Sequence, residues 1–221
     1  MAKKIISAKV SIVNGENQLT EIVRQSMLKT LFSKIGTISQ NIKPKISLLI
    51  SSELMNSSTV RSLIAGKLRD DFGLKSGEAE NAVGVIIENI ADNISVKILR
   101  GSNQYIASLA IDILPSNISF IDFSAGSYQS SGGQVDWLNW LLTKGTQVIL
   151  GDFWLFENAK GPTRSGGKSI MIETGNVSRQ PFRIDPEHAG TVNDNFITRS
   201  IQSVYPQAVD ITMKEILRII K

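Results

Sequence analysis

The chain has 221 residues, 42% of them hydrophobic and 20% charged, with 24 Lys and Arg against 20 Asp and Glu for a net charge of +4. That length and apolar content suit one large domain or two small ones with a buried core, and they exclude disorder as the main state. With no Cys and one His, disulfide scaffolds, thiol catalysis and zinc sites built on Cys or on several His are excluded as well.

Residues 1–13 mix Ile5, Ile6, Val10, Ile12 and Val13 with Lys3, Lys4 and Ser, which is not the unbroken apolar core of a secretory signal. No apolar run reaches the roughly 20 residues that span a bilayer, so a soluble chain without a membrane partner is expected. From Leu19, apolar residues recur at Ile22, Val23, Met27, Leu31, Ile35, Ile38 and Ile42, the drift of one face of a long helix. Pro44 is expected to interrupt or kink it, after which Ile46, Leu49, Ile50 and Leu54 continue the face. Residues 56–58 offer N-cap chemistry for a helix through Val60, Leu63, Ile64 and Leu68 that ends near Gly73. The next helix carries a stripe of Ala79, Ala82, Val83, Ile86, Ile87 and Ile90, with Ser76 as its cap and Glu78 and Glu80 in its first turn.

After Asn93 the period becomes two. Ile94, Val96 and Ile98 alternate with Ser95 and Lys97, and residues 105–113 form a second β-rich run across a turn at 101–103, which predicts a hairpin. Further strands are predicted over 118–123, 146–156 and 168–173, with a Ser/Gly-rich loop at 124–133 and a helix at 135–142 that contains Trp137 and Trp140. Thr191 and Asp194 resemble a capping box before a helix through Phe196, Ile197, Ile201 and Val204; Pro206 then breaks it and starts a last helix. The fold class expected is α+β: N-terminal helices, a central mostly antiparallel sheet with one inserted helix, and a C-terminal helix or helix pair. The expected division is an N-terminal strand and long helical segment over residues 1–56, followed by an α+β domain over 57–221.

Charge is unevenly spread. Residues 1–75 carry 12 basic and 5 acidic side chains, and residues 76–221 carry 12 basic and 15 acidic ones, giving +7 and −3. Lys29, Lys34, Lys43 and Lys45 are a candidate basic face for nucleic acid or an acidic protein surface. The alternative is a solvated helix face, since no aromatics are interleaved for base stacking. Trp137 and Trp140 are candidate interface anchors, or else part of a half-buried helix that packs on the sheet. Asp70 and Asp71 read as surface carboxylates.

The run Gly161-Pro162-Thr163-Arg164-Ser165-Gly166-Gly167-Lys168-Ser169 ends like a phosphate-binding loop but places its first glycine one residue too far from the Gly-Lys pair. It also leads into Ile170, Met171 and Ile172, which read as a strand rather than the helix such a loop requires. A basic loop is the plainer reading, with Lys160, Arg164 and Lys168 exposed as candidate interface residues. His188 lies beside Asp185 and Glu187, but a single His supplies no multi-histidine metal site, and a loop histidine is expected. No catalytic, cofactor-binding or metal site is expected.

Four stretches together resemble the neck or tail-completion (head–tail connector) proteins of tailed bacteriophages. They are Ser58-Thr59-Val60-Arg61-Ser62-Leu63 leading to Leu68-Arg69-Asp70-Asp71-Phe72-Gly73-Leu74; Val135-Asp136-Trp137-Leu138-Asn139-Trp140-Leu141-Leu142; Arg164-Ser165-Gly166-Gly167-Lys168-Ser169-Ile170-Met171; and Pro186-Glu187-His188-Ala189-Gly190-Thr191 followed by Asp194-Asn195-Phe196-Ile197-Thr198-Arg199. The resemblance implies a non-enzymatic virion component at the head–tail junction, made in the host cytoplasm and assembled as a homo-oligomeric ring against connector and tail proteins. It also implies basic positions that face DNA in the channel or acidic partners. Tail terminator and minor tail protein are the alternatives within that class, and a basic nucleic-acid-binding protein or a divergent nucleotide-binding enzyme are the alternatives outside it.

Overall fold

Branched aliphatic residues spaced by four build the longest element, α1 (Gln18–Asn56). Its buried stripe is Leu31, Ile38, Ile42, Ile46, Ile50 and Leu54, whereas Ile22 and Val23, expected on the same face, are exposed. The helix is continuous through Pro44, which corrects the expected interruption. Pro44 and Gln40, four residues earlier, both lie on the exposed side, so water can take the carbonyl that the missing proline amide leaves unpaired.

This computed structural model describes residues 5–10, 18–100, 107–113, 123–130, 133–145, 153–156, 163–166, 170–173 and 183–220. The chain divides into two compact units, Met1–Ser51 with Ile90–Ile118 and Ser203–Lys221, and Ser52–Asn89 with Ser119–Gln202. The contiguous division at residues 56 and 57 therefore comes near one boundary, but the first unit also gathers two later segments of chain.

In the first unit, β2 (Ser95–Arg100) and β3 (Ala107–Asp112) form the expected antiparallel hairpin, registered from Ser95 opposite Asp112 to Arg100 opposite Ala107. The strand β1 (Ile5–Val10) pairs antiparallel with the other side of β3, giving the order β1-β3-β2. Helix α7 (Tyr205–Ile220) packs on β1. Pro206 sits in its first turn, where an amide has no intrahelical acceptor. Glu215 of α7 ties it to α1 through an ion pair with Lys45 and a 3.4 Å hydrogen bond donated by Asn41.

The second unit holds shorter elements. The predicted helix after residue 56 is two helices, α2 (Ser58–Ala65), capped by the Ser57 hydroxyl accepting from the Val60 amide at 3.2 Å, and α3 (Lys67–Asp71). They part at Gly66, and the Ser62 hydroxyl accepts the Leu68 amide at 3.1 Å. Helix α4 (Glu78–Asn93) buries Ala79, Ala82, Val83 and Ile86 as its periodicity predicts. The expected Ser/Gly-rich loop contains a 3-10 helix (Phe123–Gly126) and the small hairpin β4 (Tyr128–Ser130) with β5 (Gly133–Val135). Gly126 is needed there, because a Cβ on it would collide with the Leu138 side chain. After α5 (Trp137–Thr143), the strands β6 (Phe153–Phe156) and β7 (Ile170–Glu173) pair antiparallel, and β7 packs against α3. Helix α6 (Phe196–Ser203) follows.

The molecule is mainly helical and of α+β class. Among the described residues, the strands form three separate antiparallel sheets in place of the single central sheet expected. Residues 118–122 of the strand expected at 118–123 and the start of the one expected at 146–156 lie outside the described residues, and Phe123 opens the 3-10 helix instead of ending a strand.

Candidate functional site

The turn between α3 and α4 is the hub of the second unit. Gly73 has φ of 63°, a conformation that disfavours a side chain, and this reversal lets the Leu74 amide donate to the Arg69 carbonyl at 2.8 Å. Phe72, just before it, is buried, with its ring 6.1 Å from that of Trp137. Trp137 is only 1% exposed and Trp140 8%. Neither is an interface anchor on this surface, which corrects that expectation: the apolar side of α5, with Leu138, Leu141 and Leu142, needs both rings for the core.

Arg164 reaches this hub from the connection between β6 and β7. Its Nη1 donates to the Gly73 carbonyl and to Glu78 Oε2, both at 2.6 Å, and its Nη2 donates to Glu78 Oε1 at 2.5 Å. The guanidinium carbon stacks 3.6 Å from the centroid of Tyr128, whose hydroxyl donates to the Phe72 carbonyl at 2.6 Å. Arg69 Nη2 donates to the Ser165 carbonyl at 3.1 Å. The expected exposed, partner-seeking arginine is therefore half-buried and neutralised. A planar guanidinium can meet a carboxylate, a carbonyl and a ring face together, and this hub offers all three.

Burial works to raise the Glu78 carboxyl, but the Arg164 hydrogen bonds and the Lys75 amide at 2.8 Å outweigh it and hold the group below its ordinary value. Burial pushes the Tyr128 phenol up; Arg164 opposes the rise and Glu78 adds to it. Asp71 is buried too, with Lys67 2.5 Å away, contrary to the surface position expected of it. Asp70 is half-buried.

The segment at 183–195 joins the same unit. His188 Nδ1 lies 3.3 Å from the hydroxyl of buried Thr59, and its amide donates to the Asp185 carbonyl at 2.9 Å. The Gly145 amide donates to the Gly190 carbonyl at 2.6 Å, and Lys144 bridges Thr191. The cap of α6 is Asn195, whose Oδ1 accepts from the Ile197 and Thr198 amides at 3.1 Å each. The Thr191 hydroxyl does accept the Asp194 amide at 3.2 Å, as half of the expected box, but α6 begins only at Phe196 and so takes Asn195 as its cap.

Lys160 and Lys168, with most of the phosphate-loop-like run, lie outside the described residues. The next element in the chain is the strand β7 rather than a helix, as the sequence predicts. The four lysines of the candidate basic face all lie on α1, but they do not share one face. Helical residues turn by about 100° each, which puts Lys29 and Lys43 on one side and Lys34 and Lys45 on the opposite one. Lys45 is also paired with Glu215.

Glu78, Tyr128, Arg69, Thr59 and Asn195 are the residues that sequence reasoning missed. Glu78 carried only a helix-dipole signal, and nothing in the chain order links it to Arg164, 86 positions away. The chain matches no family model, no curated protein and no solved structure. Among the described residues, no helix is long and apolar enough to cross a membrane, and no three acidic or His side chains form a group that could hold a metal ion.

Proposed function

We propose that this protein is a non-enzymatic structural subunit of a tailed-phage virion, placed at the head–tail junction as a neck or tail-completion protein and assembled as a ring between connector and tail. One observation supports the reading. The four stretches that carry the resemblance, scattered between residues 58 and 199, meet in a single unit. Phe72 of the first meets Trp137 of the second; Arg164 and Ser165 of the third meet Gly73 and Arg69 of the first; and His188 of the fourth meets Thr59 of the first. They pack together as part of the framework of one module. A subunit that works by presenting surfaces needs such a framework and no substrate pocket.

Electron microscopy of the purified protein, together with its mass in solution, tests this proposal directly. The expected outcome is a closed ring of identical subunits and recovery of the protein in purified particles. A monomer at high concentration that is absent from virions sinks the reading, and a rise in melting temperature with ATP would favour a nucleotide-binding protein instead.

A further inference from the structure

We infer that copies of this chain meet through two different helices, the exposed side of α1 in one copy receiving the acidic side of α4 in the next. The inference rests on the reading that the protein assembles with itself and not on any place in a virion. Helical residues turn by about 100° each, which puts Ile22, Ser26, Ser33, Thr37, Pro44 and Leu48 on one side of α1, and all six are exposed. Ile22 and Leu48 stand out at 66% and 72%. No charged residue of the helix falls in that sector. Thr30 and Ser33 donate their hydroxyls to carbonyls of the helix itself at 3.0 and 2.9 Å, so a partner can cover them without leaving a donor unpaired. Lys29 and Lys43 border the sector along one edge and Lys34 along the other, and none of the three is paired with a carboxylate among the described residues.

Helix α4 is the complement. It carries four carboxylates and no basic residue. Glu78 is taken by Arg164, whereas Glu80, Glu88 and Asp92 are exposed and in no ion pair among the described residues. With Gly84 they recur every four residues and so share one side. A Cβ on Gly84 would meet nothing within 4 Å, which leaves a shallow place for an apolar side chain of α1 between Glu80 and Glu88. At a rise of about 1.5 Å per residue, the carboxylate row is about 18 Å long and the lysine row from Lys29 to Lys43 about 21 Å. Two α1 sides face to face would set lysine against lysine, and two α4 sides carboxylate against carboxylate; α1 on α4 joins opposite charges. Such a contact between unlike surfaces of identical subunits is heterologous and builds a closed ring or a filament. Duplex DNA is the poorer fit, because phosphates favour a continuous basic track and here an uncharged side divides the lysines.

Charge reversal in the full-length protein tests the contact, with assembly read as mass against concentration by sedimentation. Lys34→Glu with Lys43→Glu alters α1, and Glu88→Lys with Asp92→Lys alters α4; Lys45 and Glu78 are spared because their pairs hold the fold. Each pair of substitutions alone is expected to raise the concentration needed for assembly about tenfold or more. The protein carrying all four is expected to assemble nearly as the wild type does, since opposite charges again face each other, and an unfolded variant would not recover in that way. Wild-type protein that stays monomeric at every concentration overturns both the assembly reading and this inference. Assembly that is unchanged in both pairs, or not restored by all four substitutions, overturns this inference alone. Loss of duplex DNA binding in the lysine pair with assembly unchanged also overturns it and assigns the lysines to nucleic acid.

Discussion

The two units solve the same problem by different means. Each pins a helix with an acid–base contact between residues far apart in sequence. In the first unit the carboxylate is the buried partner: Glu215 is 5% exposed, and its cations Lys45 and Arg218 are 50% and 64% exposed. In the second unit the arginine itself is drawn in and shared among a carboxylate, a carbonyl and a ring. The apolar parts differ in the same way. The first unit rests on a periodic stripe along α1, while the second assembles short segments around Phe72 and Trp137. Long periodic helices bring their apolar residues into line through local geometry, so polar contacts only trim them. Short segments have no such guide and rely on specific meetings to fix their arrangement.

Core truncations give the widest separation between the units. Trp137→Ala should destabilise by about 3–5 kcal/mol and Ile42→Ala by about 2–5 kcal/mol. Tryptophan fluorescence reports the second unit, which holds all three tryptophans, and far-UV dichroism is weighted by α1 and α7. In urea, Trp137→Ala should lower the fluorescence midpoint more than the dichroism midpoint, and Ile42→Ala should do the reverse. Equal displacement of both signals by both variants would erase the distinction.

Pro44→Ala should act on the first unit alone and in the opposite direction, stabilising it by up to about 3 kcal/mol as the missing helical hydrogen bond is restored. A loss of stability would show that Pro44 holds a bend that α1 requires. Asn195→Ala removes the cap of α6 and should cost about 1 kcal/mol, seen first by fluorescence.

The smallest effects are those of pH. Glu215 is held below its ordinary value first by Lys45, with Arg218 and Asn41 adding to the shift against the opposing effect of burial, and Glu78 is held down by Arg164 and the Lys75 amide. Both carboxylates bind protons more weakly folded than unfolded. Their stabilisation is therefore fully present above the ordinary glutamate range, near pH 4.3, and is lost as the pH falls through the lowered folded-state values. Acid titration of Glu215→Gln should flatten the dichroism curve in that range, and Glu78→Gln should flatten the fluorescence curve. Asp194, lowered by the Arg199 hydrogen bond but 65% exposed, should contribute least, because solvent screens it.

Periodicity in the sequence was enough to place the α1 stripe from Leu31 to Leu54, the buried face of α4, the β2–β3 hairpin and the strand character of Ile170 to Ile172, because each depends on residues a few positions apart that share a face. The same pattern overran at Ile22 and Val23, where nothing local says whether a matching surface exists. Short-range chemistry also misled at Pro44, whose effect depends on which side of the helix faces water, and it found the Thr191–Asp194 hydrogen bond but placed the start of α6 one turn too early. Local pattern and composition carry the types of the long elements and the absence of cysteine chemistry. That Trp137 and Trp140 are core, that Arg164 is engaged and that Lys45 is paired with Glu215 follows from tertiary packing. The reason is physical: a guanidinium, an indole or an ammonium takes its role from what stands opposite it, and those partners are separated along the chain by distances that no local pattern records.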